Sequence, residues 1–361
     1  MIHERVERLR SQSLAATPIL SAERAILLTE YDQQETRLLS PVVRRANAFR
    51  YLLQNKAICI NPGELIVGER GPAPKATPSY PEVCCHSLED LNILDTREKT
   101  PYGVADTVRD IYEQQVIPYW QSRCMRSLLL ENMSPEWLSA YEAGVFTEFM
   151  EQRTPGHTAL DDKIFRLGMN DFRARIQDAL QKLDFLTDPA AYDKKQQLTA
   201  MDICAQALIE YAERHAQKAE QLAACEVDPA RQAELLRIAQ ICRHIPANKP
   251  RDFWEALQYY WFIHLGVITE INPWDAFNPG RLDQHLYPFY KSELDEGSLT
   301  REAARELLQC FWVKFNNQPA PPKVGVTAAE SSTYTDFANI NSGGLKADGS
   351  DGVNELSYLI L

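Results

Sequence analysis

The sequence predicts a helix-rich α/β protein. Three observations carry that reading. Most of residues 1–250 place apolar side chains at helical spacing behind capping residues. Short apolar stretches between glycines or prolines, Gly63–Gly71 and Val324–Thr327, read as strands. From Asn272 to Gly344, two polar, Gly- and Pro-bearing loops flank an ordinary amphipathic helix. Functional loops on a regular frame are where binding and catalysis concentrate.

Taken in order, Ser21 is placed to cap a helix through Ala25, Leu28 and Tyr31. Pro41 starts the next, with Val42, Ala46, Phe49, Leu52 and Leu53 on one face. After the strand-like GELIVGERG comes a proline-rich loop, Pro72 to Pro81. Thr107–Leu130 reads as mostly helical, broken or kinked at Pro118. Leu198–Cys225 is a long helix, and Asp228 caps its successor. Pro250 opens an aromatic helix with Phe253, Trp254, Leu257, Trp261 and His264 at helical intervals, apolar enough to be buried. Thr300 caps a further helix carrying Leu307, Leu308, Phe311 and Phe315.

Composition sets outer limits. The 361 residues are 45% hydrophobic and 24% charged, an ordinary globular balance. That length suits two or three domains or one large α/β domain. A net charge of −12 argues against a broad nucleic-acid footprint and against attraction to anionic membranes. The longest apolar run, near Trp254–Ile268, is interrupted by Gln258 and His264, so no membrane span is expected. Met1-Ile2-His3-Glu4 opens directly into charged helix without the apolar core of a secretion signal. Eight scattered cysteines suit free thiols in a reducing cytoplasm. The last residues, ending Tyr358-Leu359-Ile360-Leu361, read as the first turns of an apolar helix with no cap. The expectation drawn is a chain cut short inside a larger fold.

Several groups are candidates for chemistry. Cys84-Cys85-His86 could suggest a metal. Adjacent cysteines point apart, however, and no second pair at zinc-site spacing follows. His157 follows a Pro-Gly turn after the aromatic and acidic run Phe146–Glu151, where it could exchange a proton near neutral pH. A structural role stands beside that one. Asp275, between Trp274 and Phe277, would be partly desolvated and would pair with a cation or hold a polar substrate. It could equally cap the Arg281–Asp283 segment. Asp283, His285 and Tyr287 are read as holding the turn together. Pro319-Ala320-Pro321-Pro322 excludes helix and central strand. Glu330–Phe337 is dense in hydrogen-bonding groups, and Asn339–Gly344 adds a strand end and a glycine turn. Gly343-Gly344 lacks the pattern of a phosphate loop, and no nucleophile motif occurs. The residues therefore read as half of a site for a small zwitterion or polyol.

The stretches GELIVGERG, YPEVCCHSLEDL, SPEWLSAYEAGVFTEFMEQRTPGHT, WDAFNPGRLDQHLYPFY and the run from KFNNQPAPPKVG to the end resemble the glycyl radical enzymes, the pyruvate formate-lyase-like superfamily. The resemblance covers essentially the whole chain. It implies a ten-stranded barrel of two half-barrels wrapped in helices. Residues 1–250 would form a mainly helical region, 251–361 the start of the barrel, and the C-terminal glycine radical domain would be absent. It also implies a cysteine that forms a thiyl radical two residues before a Glu base, and a radical-storing glycine. All three would lie beyond Leu361, because none of the eight cysteines stands in a Gly-Cys-Val-Glu context.

The substrate implied is trans-4-hydroxy-L-proline, dehydrated to 1-pyrroline-5-carboxylate. Matched by motif, its contacts fall on Phe149, His157, Asp275, Ser331 and Phe337. No bound cofactor is implied for this chain. The full-length form would need its radical installed by a radical S-adenosylmethionine activating enzyme, and a homodimer is a further expected partner. Two alternatives stand beside this. One is another glycyl radical eliminase acting on a diol or an amine. The other is a non-catalytic half-protein that docks to a partner chain.

Overall fold

A computed structural model describes residues 4–34, 38–146, 160–271, 278–325, 328–329, 338 and 340–361. The described chain is mainly helical. Helix α1 spans Glu4–Ala15, α2 Glu23–Gln33 and α3 Pro41–Asn55. Strands β1 (Ile19–Ser21) and β2 (Ala76–Pro78) pair in parallel, Ile19 opposite Ala76. They are followed by α4 (Leu88–Thr96), α5 (Asp106–Ile111), a π turn at Tyr112–Val116, α6 (Ile117–Trp120), α7 (Met125–Glu131) and α8 (Pro135–Glu142). Then come α9 (Met169–Gln181), α10 (Ala191–Cys225), α11 (Pro229–His244), α12 (Phe253–Glu270), α13 (Leu282–Glu296), α14 (Arg301–Asn316) and α15 (Glu355–Ile360).

Helix α12 is the centre of the core. Fifteen of its residues are buried, from Phe253 to Thr269. It is apolar around its whole circumference, which is possible only when other elements cover every side. Helices α10, α11, α13 and α14 supply that cover. Close approach is built into the sequence. A Cβ added at Gly266 would lie 2.6 Å from Leu208 of α10. On α10 itself, Ala205, Ala212, Ala216 and Ala219 are buried, so small side chains let α3 and α11 pack tightly. One apolar cluster runs from Val6 to Leu356 and joins the first helix to the last.

Helix starts differ from the sequence expectation by one to seven residues. Asp252, rather than Pro250, caps α12 by accepting the Glu255 N–H at 2.8 Å. Helix α2 begins at Glu23, and Ser21 sits in β1 with its hydroxyl 3.3 Å from the Glu23 N–H. Helix α10 starts at Ala191, earlier than Leu198. The break expected at Pro118 is spread over two places. One is the π turn just before it, where the Ile117 N–H reaches the Tyr112 carbonyl; the other is the turn at 121–124.

The larger correction concerns Gly63–Gly71. It is buried but is not a strand. Its polar backbone is satisfied by side chains of packed helices. Trp254 Nε1 donates to the Leu65 carbonyl at 2.9 Å, and Trp261 Nε1 to Gly68 at 2.9 Å. Gln258 makes both hydrogen bonds to Val67. Val324 is likewise buried and stands outside the described strands, while Val326 and Thr327 lie outside the described residues. The strand end expected at Asn339–Gly344 is a single parallel bridge between Asn341 and Arg281.

Candidate active site

All five residues singled out for substrate contact, Phe149, His157, Asp275, Ser331 and Phe337, lie outside the described residues. Their segments, 147–159, 272–277 and 326–337, are bounded by residues that are described, and those ends are tied to one another. Arg126 joins the first to the third. Its Nη2 donates to the Tyr141 hydroxyl of α8 at 2.7 Å. The same guanidinium packs on Gly325, where an added Cβ would lie 2.4 Å from Nη2. His285 joins the first to the second, its Nε2 standing 3.6 Å from Asp161. The second and third meet at the Arg281–Asn341 bridge and at Asp283. Asp283 is fully buried and accepts the Gly343 N–H at 2.6 Å, while Gln284 donates to the Gly343 carbonyl at 2.8 Å. Thus the turn-holding role expected for Asp283 is the one it plays.

The lead-in to the third segment is held along its length. Prolines 319, 321 and 322 carry no N–H, so their carbonyls are the backbone groups that need partners. Arg70 donates to Pro319, Tyr102 to Ala320 at 2.5 Å, and His86 Nε2 to Pro322 at 3.2 Å. At its far end the Gly325 N–H donates to Asp90 at 2.8 Å. His86 therefore serves the loop. Among the described residues no cluster of three or more His, Cys, Asp or Glu is arranged to hold a metal ion.

Beneath the lead-in lies a buried ion cluster that the sequence reading missed. Lys314 Nζ donates to Glu64 at 2.6 Å and to Glu69 at 2.5 Å, all three being nearly inaccessible. Glu69 also accepts from Asn317 at 3.0 Å and from Gln318 at 2.5 Å. One ammonium serves two carboxylates. It remains protonated, while burial and the neighbouring Glu64 push Glu69 above the usual carboxylate range. The missed signal was spacing: Lys314 falls on the apolar stripe of Leu307, Cys310 and Phe311.

Burial also governs the thiols. Cys59, Cys85 and Cys310 are pushed up to about 12 and Cys204 to about 11. They stay protonated at neutral pH. A recess of about 730 Å³, lined by His86, Asp90, Arg126 and Gly325 among others, lies beside the root of the third segment. A larger cavity, about 1100 Å³ and bounded by Tyr31, Arg44, Glu82 and Trp120, lies between α2 and α3 instead.

Residues 2–361 match the pyruvate formate lyase-like family model, and the chain belongs to that family. Trans-4-hydroxy-L-proline dehydratase of Clostridioides difficile is 52% identical over 359 residues, 99% of this chain and 45% of that protein. A crystal structure of the hydroxyproline dehydratase from Clostridioides difficile, with trans-4-hydroxy-L-proline bound, superposes with a TM-score of 0.94 at 51% identity. It aligns with 99% of this chain and 45% of its own. A glycyl radical enzyme from Archaeoglobus fulgidus gives 0.87 at 30% identity, over 99% and 46%. The chain thus spans about half the length of the relatives it matches. The fold expected from the motifs is the fold found: a helix-rich portion of a glycyl radical enzyme.

Proposed function

We propose that this chain is the substrate-holding side of a glycyl radical dehydratase acting on trans-4-hydroxy-L-proline. Loss of one water gives 1-pyrroline-5-carboxylate. The observation that carries the reading is the 52% identity, across 99% of the chain, to a dehydratase of that substrate. Identity to the Archaeoglobus glycyl radical enzyme falls to 30% with the fold retained. Fold alone would leave the substrate open.

In this reading Phe149 and Phe337 wall the pyrrolidine ring. Asp275 holds the substrate's polar groups, His157 stands near the departing hydroxyl, and Ser331 donates or accepts a hydrogen bond. The buried Lys314 cluster and Asp283 keep the approaches to these segments rigid, which limits the entropy lost on binding. A glycyl radical, installed by a radical S-adenosylmethionine activating enzyme, supplies hydrogen abstraction next to the ring nitrogen through a cysteine. None of the eight cysteines here is assigned that role, because all lack the Gly-Cys-Val-Glu context. Eight free thiols suit a reducing cytoplasm. No described helix is long and apolar enough to cross a membrane.

The test uses the full-length protein, activated anaerobically by its activating enzyme and offered hydroxyproline, glycerol and choline in turn. Pyrroline-5-carboxylate from hydroxyproline alone is expected. Turnover of glycerol or choline, with none of hydroxyproline, would move the protein to another eliminase class. The Asp275→Asn variant should fold normally and lose most turnover; unchanged turnover would remove Asp275 from the site.

A further inference from the structure

A small void lies where several parts of the chain meet. Its walls include Glu23 and Arg24 of α2, Lys56 just past α3, Arg70, and Thr269 near the end of α12. It measures about 10 Å³, room for one water-sized particle. Two of its walls are almost wholly buried polar side chains without partners. Arg70 is 2% exposed and Thr269 3%. The Arg70 Nη2 donates to the Pro319 carbonyl, but Nε and Nη1 have no hydrogen-bond partner among the described residues. The Thr269 hydroxyl has none either. Polar groups at this depth are normally paired.

Charge sharpens the point. Neighbouring carboxylates are engaged elsewhere. Glu82 grips Arg24 at 3.1 Å and 2.6 Å, and Glu69 accepts from Lys314 at 2.5 Å and Asn317 at 3.0 Å. Glu23 accepts the Ala57 N–H at 2.7 Å. Tyr80 lies near the Arg70 guanidinium, but burial raises its pKa, so the phenol stays neutral and offers no counter-charge. A buried lysine relieves such a position by releasing its proton, and burial brings Lys56 down to about 8. A guanidinium has no such escape, because it stays charged at any pH a folded protein meets. A buried cation without a counter-charge is strongly unfavourable.

We propose that this void binds one halide ion, chloride in ordinary media, held by the Arg70 guanidinium and the Thr269 hydroxyl. Size selects the ion: sulfate, phosphate and carboxylate ligands exceed the space of a single water. A water molecule fits as well, but it is neutral and leaves the charge of Arg70 uncompensated. The ion adds a further tie between the Gly63–Gly71 segment and α12, which Trp254, Gln258 and Trp261 already hold together.

The test uses the full-length wild-type protein crystallised with bromide in place of chloride. Bromide scatters anomalously, so a peak in contact with Arg70 and the Thr269 Oγ1 is expected. A water there without an anomalous peak would overturn the proposal. In solution, thermal unfolding is followed as chloride replaces gluconate at constant ionic strength, which holds general screening fixed. The Tm should rise by about 2 °C or more and follow a single-site binding curve. A Tm indifferent to chloride would contradict the site. Arg70→Met removes the charge and should abolish both the peak and the chloride dependence. If that variant does not fold, Thr269→Val takes its place. It keeps the charge, removes the hydroxyl, and should raise the half-saturating chloride concentration about tenfold. A wild-type chloride response in either variant would overturn the assignment.

Discussion

The side-chain amide of Gln258 stands in for a neighbouring strand at Val67: its Oε1 accepts the Val67 N–H at 2.8 Å and its Nε2 donates to the Val67 carbonyl at 2.9 Å. Both residues are buried, Val67 completely and Gln258 at 1% exposure. Gln258→Leu would leave two buried backbone groups without partners. Each such group costs about 1–3 kcal/mol, so the variant should lose about 2–6 kcal/mol. Urea unfolding measures it as a lower midpoint at an unchanged slope. A loss under about 1 kcal/mol would mean that the segment finds other partners.

Gly325 ends the braced proline run, six positions before Ser331 in the sequence. Its φ is +61°, and an added Cβ would meet Arg126 Nη2 at 2.4 Å and the Tyr141 hydroxyl at 2.8 Å. Alanine there would suffer both an unfavourable backbone and a collision. Gly325→Ala in the full-length protein should therefore weaken hydroxyproline binding about tenfold or more, with a smaller effect on global stability. Calorimetry and thermal unfolding on the same preparation check both halves. Unchanged affinity would contradict the proposed part of the Ser331 segment in binding.

Lys56 gives a pH signature of opposite sign to Glu69, whose buried carboxyl is raised above its ordinary value. It is 3% exposed and donates to the Glu69 carbonyl at 2.8 Å and the Tyr211 hydroxyl at 3.0 Å. Burial brings its pKa from 10.5 down to about 8. Between those values the unfolded chain holds a proton that the folded chain has released, so stability rises with pH across that window. The rise amounts to about 3 kcal/mol at most. Lys56→Met removes it. The stability of wild type relative to the variant should therefore grow between about pH 8 and pH 10.5. Parallel stability curves would contradict a proton-releasing Lys56.

How much the sequence disclosed depended on whether the stabilising partner was local. Caps and helical stripes are local, and Asp228, Thr300 and Pro41 start the helices expected of them. Gly63–Gly71 was misread because its partners, Trp254, Gln258 and Trp261, lie about 190 positions away. A buried apolar run has the same composition whether a strand or a helix's side chains satisfy it. Gln258 itself looked like an interruption in an apolar helix, and it is the residue that replaces the strand. Arg24 and Lys314 were overlooked for a related reason. A charge on an apolar face is legible as a period mismatch, but its partners are set only by the fold. The site residues came from motif likeness, whereas the contacts that brace their segments came from the structure.

The central claim is that the substrate is a hydroxylated proline. Its most direct test is the product formed when the full-length, anaerobically activated protein is given trans-4-hydroxy-L-proline. Formation of 1-pyrroline-5-carboxylate, abolished when the activating enzyme is omitted, is the result expected. A fully activated protein that leaves hydroxyproline unchanged would contradict it.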